Sequence, residues 1–100
     1  IGRIQTPFLP IQSRSRLVRE TDSVSIYEVE ITVWQDVPAW GWLCIPKALD
    51  PGIRHPVVVC QHGLEGLPEN LFETDETTAA WRAYKAFALR LSEQGFVFAP

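Results

Sequence analysis

The 100-residue sequence has little of several features that place a chain in a specialised class. It has no run of about 18 apolar residues, so we predict neither a transmembrane helix nor a membrane partner. Nine Lys and Arg stand against twelve Asp and Glu, and this net charge of −3 gives no basic excess for nucleic acid. The two cysteines, Cys44 and Cys60, are too few for a disulfide framework.

Two cysteines do not indicate the redox compartment, and a sequence that begins without a methionine does not indicate whether a targeting segment precedes it. Both cysteines lie in predicted strands, where a free cysteine behaves as a small buried hydrophobe. A bridge between them requires that the two strands are neighbours in a suitable register. No signal peptide is visible, but Ile1 is not a methionine, so a start upstream stays open and the localisation is undetermined.

The apolar fraction of 46% is enough for one globular domain with a modest core. Residues 1–24 contain two prolines and a Ser-Arg-Ser-Arg run, which predicts an irregular N-terminal arm or linker with at most a helical turn around 14–19. Residues 25–34 alternate apolar and polar side chains, and residues 40–45 alternate again after a turn. This pattern predicts an antiparallel hairpin.

A strand, a loop, a helix and a second strand are predicted to follow the hairpin. Residues 57–61 form a short apolar run, typical of a strand that is buried on both faces. After a loop at 64–76, residues 77–94 carry one apolar stripe at helical spacing, and residues 96–99 are again apolar. Because a helix connects the two apolar strands, we expect them to be parallel, with a right-handed connection.

One long helix is too little to cover such a sheet. Strands that are apolar on both faces are normally covered by helices on both sides. We therefore expect either the remainder of the same domain, beyond Pro100, or another chain to cover the open side. We favour the first alternative and interpret residues 25–100 as an incomplete domain.

The segment His62-Gly63-Leu64-Glu65-Gly66, where the third strand ends, is the main candidate for chemistry. Glycines permit turns that other residues resist, and such a turn can leave backbone N–H groups facing a cleft. In acyl transfer, negative charge develops on the carbonyl oxygen, and preorganised N–H donors stabilise it. The alternative is a plain glycine turn that ends a buried strand and has no catalytic role.

This turn and the order of elements around it resemble the N-terminal part of the α/β-hydrolases, nearest to the dienelactone hydrolase and acetyl xylan esterase-like branch. Pro46-Lys47 at the end of the hairpin and Gly95-Phe96-Val97-Phe98-Ala99-Pro100 after the helix add to the likeness, which covers residues 25–100. The resemblance implies an α/β fold in which an antiparallel hairpin leads into a mostly parallel sheet with one crossover helix. It also implies a serine hydrolase that acts on a small-molecule carboxylic ester without a cofactor.

In that family one oxyanion donor comes from the loop after the third strand. The resemblance therefore assigns the role to the backbone N–H of Leu64, with the N–H of Glu65 as the alternative. It makes structural loop residues of His62, Gly63 and Gly66. No serine here lies in a Gly-x-Ser-x-Gly context, so we expect the nucleophile, acid and base beyond Pro100 and predict that this chain alone is inactive.

Other candidate sites have plainer explanations. Cys60 and His62, with His55 nearby, lack the further ligands of a zinc site, so we predict no metal. The acidic side chains of the 64–76 loop fit a solvated face near a helix N-terminus. Two further functions stay open: a non-catalytic interaction domain that packs its open sheet against a partner chain, and a peptidase-like hydrolase on the same fold.

Overall fold

The computed structural model describes residues 5–100, which form a small mixed α/β unit built on one five-stranded sheet. The strands are β1 (Ser13–Glu20), β2 (Val24–Trp34), β3 (Val37–Pro46), β4 (Val57–Val59) and β5 (Phe96–Ala99). Between β4 and β5 lie a 3₁₀ helix (Pro68–Phe72) and two short helices, α1 (Ala79–Tyr84) and α2 (Phe87–Leu91). The order across the sheet is β1-β2-β3-β5-β4.

The directions of the strands confirm the hairpin and correct the sheet. Strands β2 and β3 pair antiparallel through a tight turn at Gln35-Asp36, and β4 pairs parallel with β5 as the helical connection predicted. The expectation of a mostly parallel sheet was wrong, because every other pairing in the described chain is antiparallel. The hairpin belongs to the same sheet as the parallel pair, because β3 pairs antiparallel with β5. Strand β1 pairs antiparallel with β2 on the other side of the hairpin.

Strand β1 was not predicted, since residues 13–20 were expected to belong to an irregular arm. They pair antiparallel with β2, and Arg14 and Arg16 lie directly opposite Glu30 and Glu28, with which they form ion pairs. Opposite charges across a strand pair stabilise the pairing, so the arginines belong to a sheet surface and the helical turn at 14–19 was wrong. The first four residues of the predicted arm lie outside the described part of the chain.

The single helix predicted at 77–94 is divided in two. Helix α1 ends at Tyr84 and α2 begins at Phe87, and the residues between them, Lys85 and Ala86, have φ values of 55° and 52°. Left-handed backbone of this kind costs a non-glycine residue roughly 1–2 kcal/mol. Hydrophobic periodicity reports which face of a helix is buried, and it carries no information about a two-residue break that tertiary contacts maintain.

The segment predicted as a loop at 64–76 contributes to the core. Its 3₁₀ helix buries Pro68, Leu71 and Phe72, and the Phe72 ring lies 5.8 Å from the ring of Trp42 on β3. The guanidinium of Arg19 donates a hydrogen bond to the Phe72 carbonyl at 3.0 Å. The 3₁₀ helix therefore attaches this segment to the sheet at Phe72.

One row of side chains crosses the sheet beneath the helices. Ile26 pairs with Cys44, Cys44 with Val97 and Val97 with Val58, so the four lie on one face. The first three are fully buried, whereas Val58 on β4 is 39% exposed. The helical cover of this face thus ends at β4.

The opposite face of the sheet is also uncovered at β4. Val57 and Val59 alternate with Val58 and so point to that face, where they are 58% and 65% exposed. Among the described strands, β4 has a neighbour on one side only. An apolar strand with a free edge is a template for pairing with further chain. No helix in the described residues is long and apolar enough to cross a membrane.

Leu71 and Leu64 form a matched pair for testing this core, because they are 0% and 98% exposed within the same segment. We expect Leu71→Ala to lower the free energy of unfolding by about 2–5 kcal/mol, since the change leaves a cavity. Leu64→Ala should change it by less than about 0.5 kcal/mol. Urea denaturation followed by tryptophan fluorescence measures both, and equal losses would contradict the buried position of the 3₁₀ helix.

Candidate functional site

The turn at 63–66 begins where β4 leaves the sheet. The N–H of Cys60 still donates to the Phe98 carbonyl at 2.8 Å, so pairing with β5 reaches one residue past Val59. The N–H of Gly66 then donates to the Gly63 carbonyl at 3.0 Å, which closes a four-residue turn. The turn therefore lies at the carboxyl end of a strand in a parallel pair, the end at which open α/β sheets bind their ligands.

Leu64 and Glu65 occupy the two central positions of the turn. Glu65 has a φ of 62°, the left-handed conformation that the third residue of a type II turn requires. Within residues 5–100, neither the N–H of Leu64 nor that of Glu65 donates a hydrogen bond. The Leu64 side chain is 98% exposed, so the described residues place no wall over it. The turn presents two unpaired backbone donors at an open surface.

His62, the residue before the turn, stabilises it through a hydrogen bond to Gly63. Its Nδ1–H donates to the Gly63 carbonyl at 2.9 Å. Because a carbonyl can only accept, the proton lies on Nδ1, and in the neutral ring Nε2 has a free lone pair. The Gly63 carbonyl accepts from both His62 and the Gly66 N–H, and this double contact restricts rotation of the peptide that leads into Leu64.

Tyr84 makes a third contact with the turn, which no sequence motif indicated. The Gly63 N–H donates to the Tyr84 hydroxyl oxygen at 2.9 Å. A Cβ added at Gly63 would lie 3.1 Å from that oxygen, and one added at Gly66 would lie 2.9 Å from it. Neither glycine has a positive φ. The hydroxyl leaves little room for a side chain at either position, and the Gly63 carbonyl and the His62 Cβ, each 3.0 Å from a Cβ added at Gly66, crowd that position as well.

Asp75, one of the acidic residues before α1, has a structural role. Asp75 accepts hydrogen bonds from the Thr77 hydroxyl at 2.7 Å and from the Thr77 N–H at 2.9 Å. These bonds lower the pKa of Asp75, the one from the hydroxyl most strongly, and so favour the ionised form. Thr78 then caps α1 by accepting from the Trp81 N–H at 3.0 Å. A carboxylate held ionised in this way is unsuited to act as a general acid.

Of the three residues considered for a metal site, the two histidines are hydrogen-bonded to backbone carbonyls and the cysteine is buried. The Nε2–H of His55 donates to the Asp50 carbonyl at 2.7 Å, and Nδ1 of His62 is engaged by Gly63. Cys60 is 3% exposed. Across residues 5–100, no three His, Cys, Asp or Glu side chains come together in a group that could hold a metal ion.

The two cysteines are free and buried. Strand β5 lies between their strands, which places them about 10 Å apart at the usual strand spacing, too far for a disulfide. Burial raises the pKa of both thiols, while the nearby Ser92 hydroxyl and the charge of Arg19 partly oppose the rise in the pKa of Cys44. Neither thiol has the lowered pKa of a catalytic nucleophile.

Comparison with known proteins finds no match: no protein-family model fits the chain, and no curated sequence or solved structure is similar to it. The resemblance to the α/β-hydrolases therefore stays a prediction from the sequence of this chain, whose sheet is mostly antiparallel.

The buried thiols predict a pH dependence. At pH 8 we expect DTNB to react slowly with the folded protein and rapidly with both cysteines in guanidinium, because a raised pKa reduces the thiolate population. A raised pKa in the folded state contributes stability below the ordinary thiol pKa of about 8.5, and this contribution is lost as the pH rises through the raised value. Two rapidly reacting thiols in the folded protein would contradict the burial.

Proposed function

We propose that this chain is the N-terminal part of an α/β-hydrolase domain in a serine hydrolase that acts on carboxylic esters. It contributes the oxyanion-hole turn and not the nucleophile. The observation that carries the proposal is the pair of unbonded N–H groups at Leu64 and Glu65, in a turn that follows a strand of the parallel pair.

The geometry of the turn suits stabilisation of a negative oxygen. Ester hydrolysis passes through a tetrahedral intermediate, and donors already in place stabilise its oxyanion without reorganisation. Here the Gly63 N–H is bound by Tyr84, and the Gly63 carbonyl is bound by His62 and Gly66. An anion at the turn would therefore accept from free N–H groups and break no internal hydrogen bond.

The remaining catalytic groups follow from the resemblance and lie beyond Pro100. A serine on a strand-to-helix turn attacks the ester carbonyl, and a histidine takes its proton and later delivers it to the leaving alcohol. The N–H of Leu64 donates to the oxyanion together with the N–H that follows the serine. Glu65 is the alternative donor if the intermediate sits one residue further along the turn.

The open side of β4 supports the finer fold assignment. Burial along the row Ile26, Cys44, Val97 and Val58 falls away only at β4, and Val57 and Val59 are uncovered on the other face. Burying one valine side chain contributes about 1.5–3 kcal/mol. We propose that the remainder of the domain supplies a strand beside β4 and helices over both faces, which would extend the parallel part of the sheet.

A second candidate function rests on the same open strand. A non-catalytic interaction domain would use the exposed valines of β4 as a contact surface for a partner chain. That function requires an apolar surface, and it makes no use of free N–H groups in the neighbouring turn. The two candidate functions therefore differ in whether the full-length protein hydrolyses an ester.

Leu64→Pro tests the hydrolase proposal in the full-length protein that contains this chain. The substitution removes the N–H at the second position of a β-turn, where proline is favoured. We expect kcat for a short-chain aryl ester to fall roughly 10²–10³-fold, with a smaller effect on KM, because the lost donor acts in the transition state.

Leu64→Ala is the matched control, since it removes the same side chain and keeps the N–H. The ratio of the two kcat values isolates the donor, and circular dichroism checks that both variants fold. Equal kcat values would overturn the assignment of Leu64. A full-length protein that neither hydrolyses the ester nor is labelled by a serine-directed fluorophosphonate would overturn the hydrolase and favour the interaction domain.

A further inference from the structure

We propose that Tyr84 is a positioning residue for the turn at 63–66, which carries the proposed oxyanion donors. Its hydroxyl holds the Gly63 N–H and thereby keeps the free N–H groups of Leu64 and Glu65 in one orientation. The catalytic consequence rests on the proposed function, whereas the positioning itself concerns only residues of this chain.

The first argument is the fit between the hydroxyl and the two glycines. The oxygen accepts from Gly63 at 2.9 Å and also occupies the space that a side chain at Gly66 would need. Gly63 and Gly66 are the two ends of the turn, joined by their own hydrogen bond. The Tyr84 hydroxyl therefore binds one end of the turn and lies close to the other.

The second argument is the limited role of α1 in the core. None of its residues is fully buried, whereas α2 buries Ala88 completely. Tyr84 is the last residue of α1, and its ring packs on the edge of the core with its centroid 6.4 Å from that of Phe87. Within residues 5–100, α1 makes its hydrogen bond to the candidate site through the Tyr84 hydroxyl.

The third argument is the strained connection that follows Tyr84 directly. Lys85 and Ala86 both adopt left-handed backbone, and Lys85 closes α1 by donating to the Trp81 carbonyl at 2.8 Å. Strained backbone of this kind persists where the surrounding contacts over-determine it, often at functional sites. The break lets α1 take the direction that brings Tyr84 to the turn while α2 packs in the core.

Tyr84→Phe tests the proposal, because it removes the hydroxyl and keeps the ring. Tyr27→Phe is the matched control, since the Tyr27 side chain makes no hydrogen bond within residues 5–100. In the full-length protein, we expect amide hydrogen exchange at Gly63 to accelerate about 3–10-fold in Tyr84→Phe, the effect of losing one hydrogen bond. Tyr27→Phe should leave the exchange rate of Gly63 unchanged.

The kinetic readout separates this proposal from the hydrolase proposal. With the aryl ester, we expect Tyr84→Phe to lower kcat about 3–10-fold at nearly constant KM, and Tyr27→Phe to match the wild type. Unchanged Gly63 exchange in Tyr84→Phe would overturn the positioning role. Faster exchange in a protein without esterase activity would support the positioning and overturn the proposed function. Faster exchange with an unaltered kcat would overturn the catalytic consequence.

Discussion

The hydrogen bond from the Gly63 N–H to the Tyr84 hydroxyl joins the turn after β4 to the helical layer. Without it, the turn would be attached to the protein only through the strand that precedes it and the 3₁₀ helix that follows. With it, both backbone polar groups of Gly63 are bonded, the N–H to Tyr84 and the carbonyl to His62 and Gly66. Across the described residues, the N–H groups of Leu64 and Glu65 are left unbonded, because the hydrogen bond that closes the turn joins Gly66 to Gly63.

The same segment lies where the sheet is least covered. Buried side chains continue from β2 through β3 to β5, and burial is lost at β4, the strand that carries the turn. An exposed apolar edge is a liability in a soluble domain, so natural proteins usually cover it. The proposed remainder of the domain would cover this edge and would also supply the walls that the turn lacks in residues 5–100.

Local pattern was enough to predict part of this structure. The alternation in β2 and β3 and the apolar runs of β4 and β5 depend on each strand's own residues, so the hairpin and the parallel pair could be predicted. Strand β1 could not, because its arginines fit a sheet only once Glu28 and Glu30 are known to face them. The break at Lys85 likewise depends on contacts that hydrophobic periodicity does not record. At the candidate site, the glycines marked the turn, but the Tyr84 hydroxyl, 21 residues after Gly63, became visible only in three dimensions.

The most direct measurement is a crystal structure of the full-length protein after reaction with a serine-directed phosphonate, which mimics the tetrahedral intermediate. We expect the phosphonyl oxygen to accept a hydrogen bond from the backbone N–H of Leu64, or of Glu65, at about 2.7–3.1 Å. We also expect Gly63 to remain bound to Tyr84. A phosphonyl oxygen bound elsewhere, with both turn N–H groups bonded within the protein, would contradict the account.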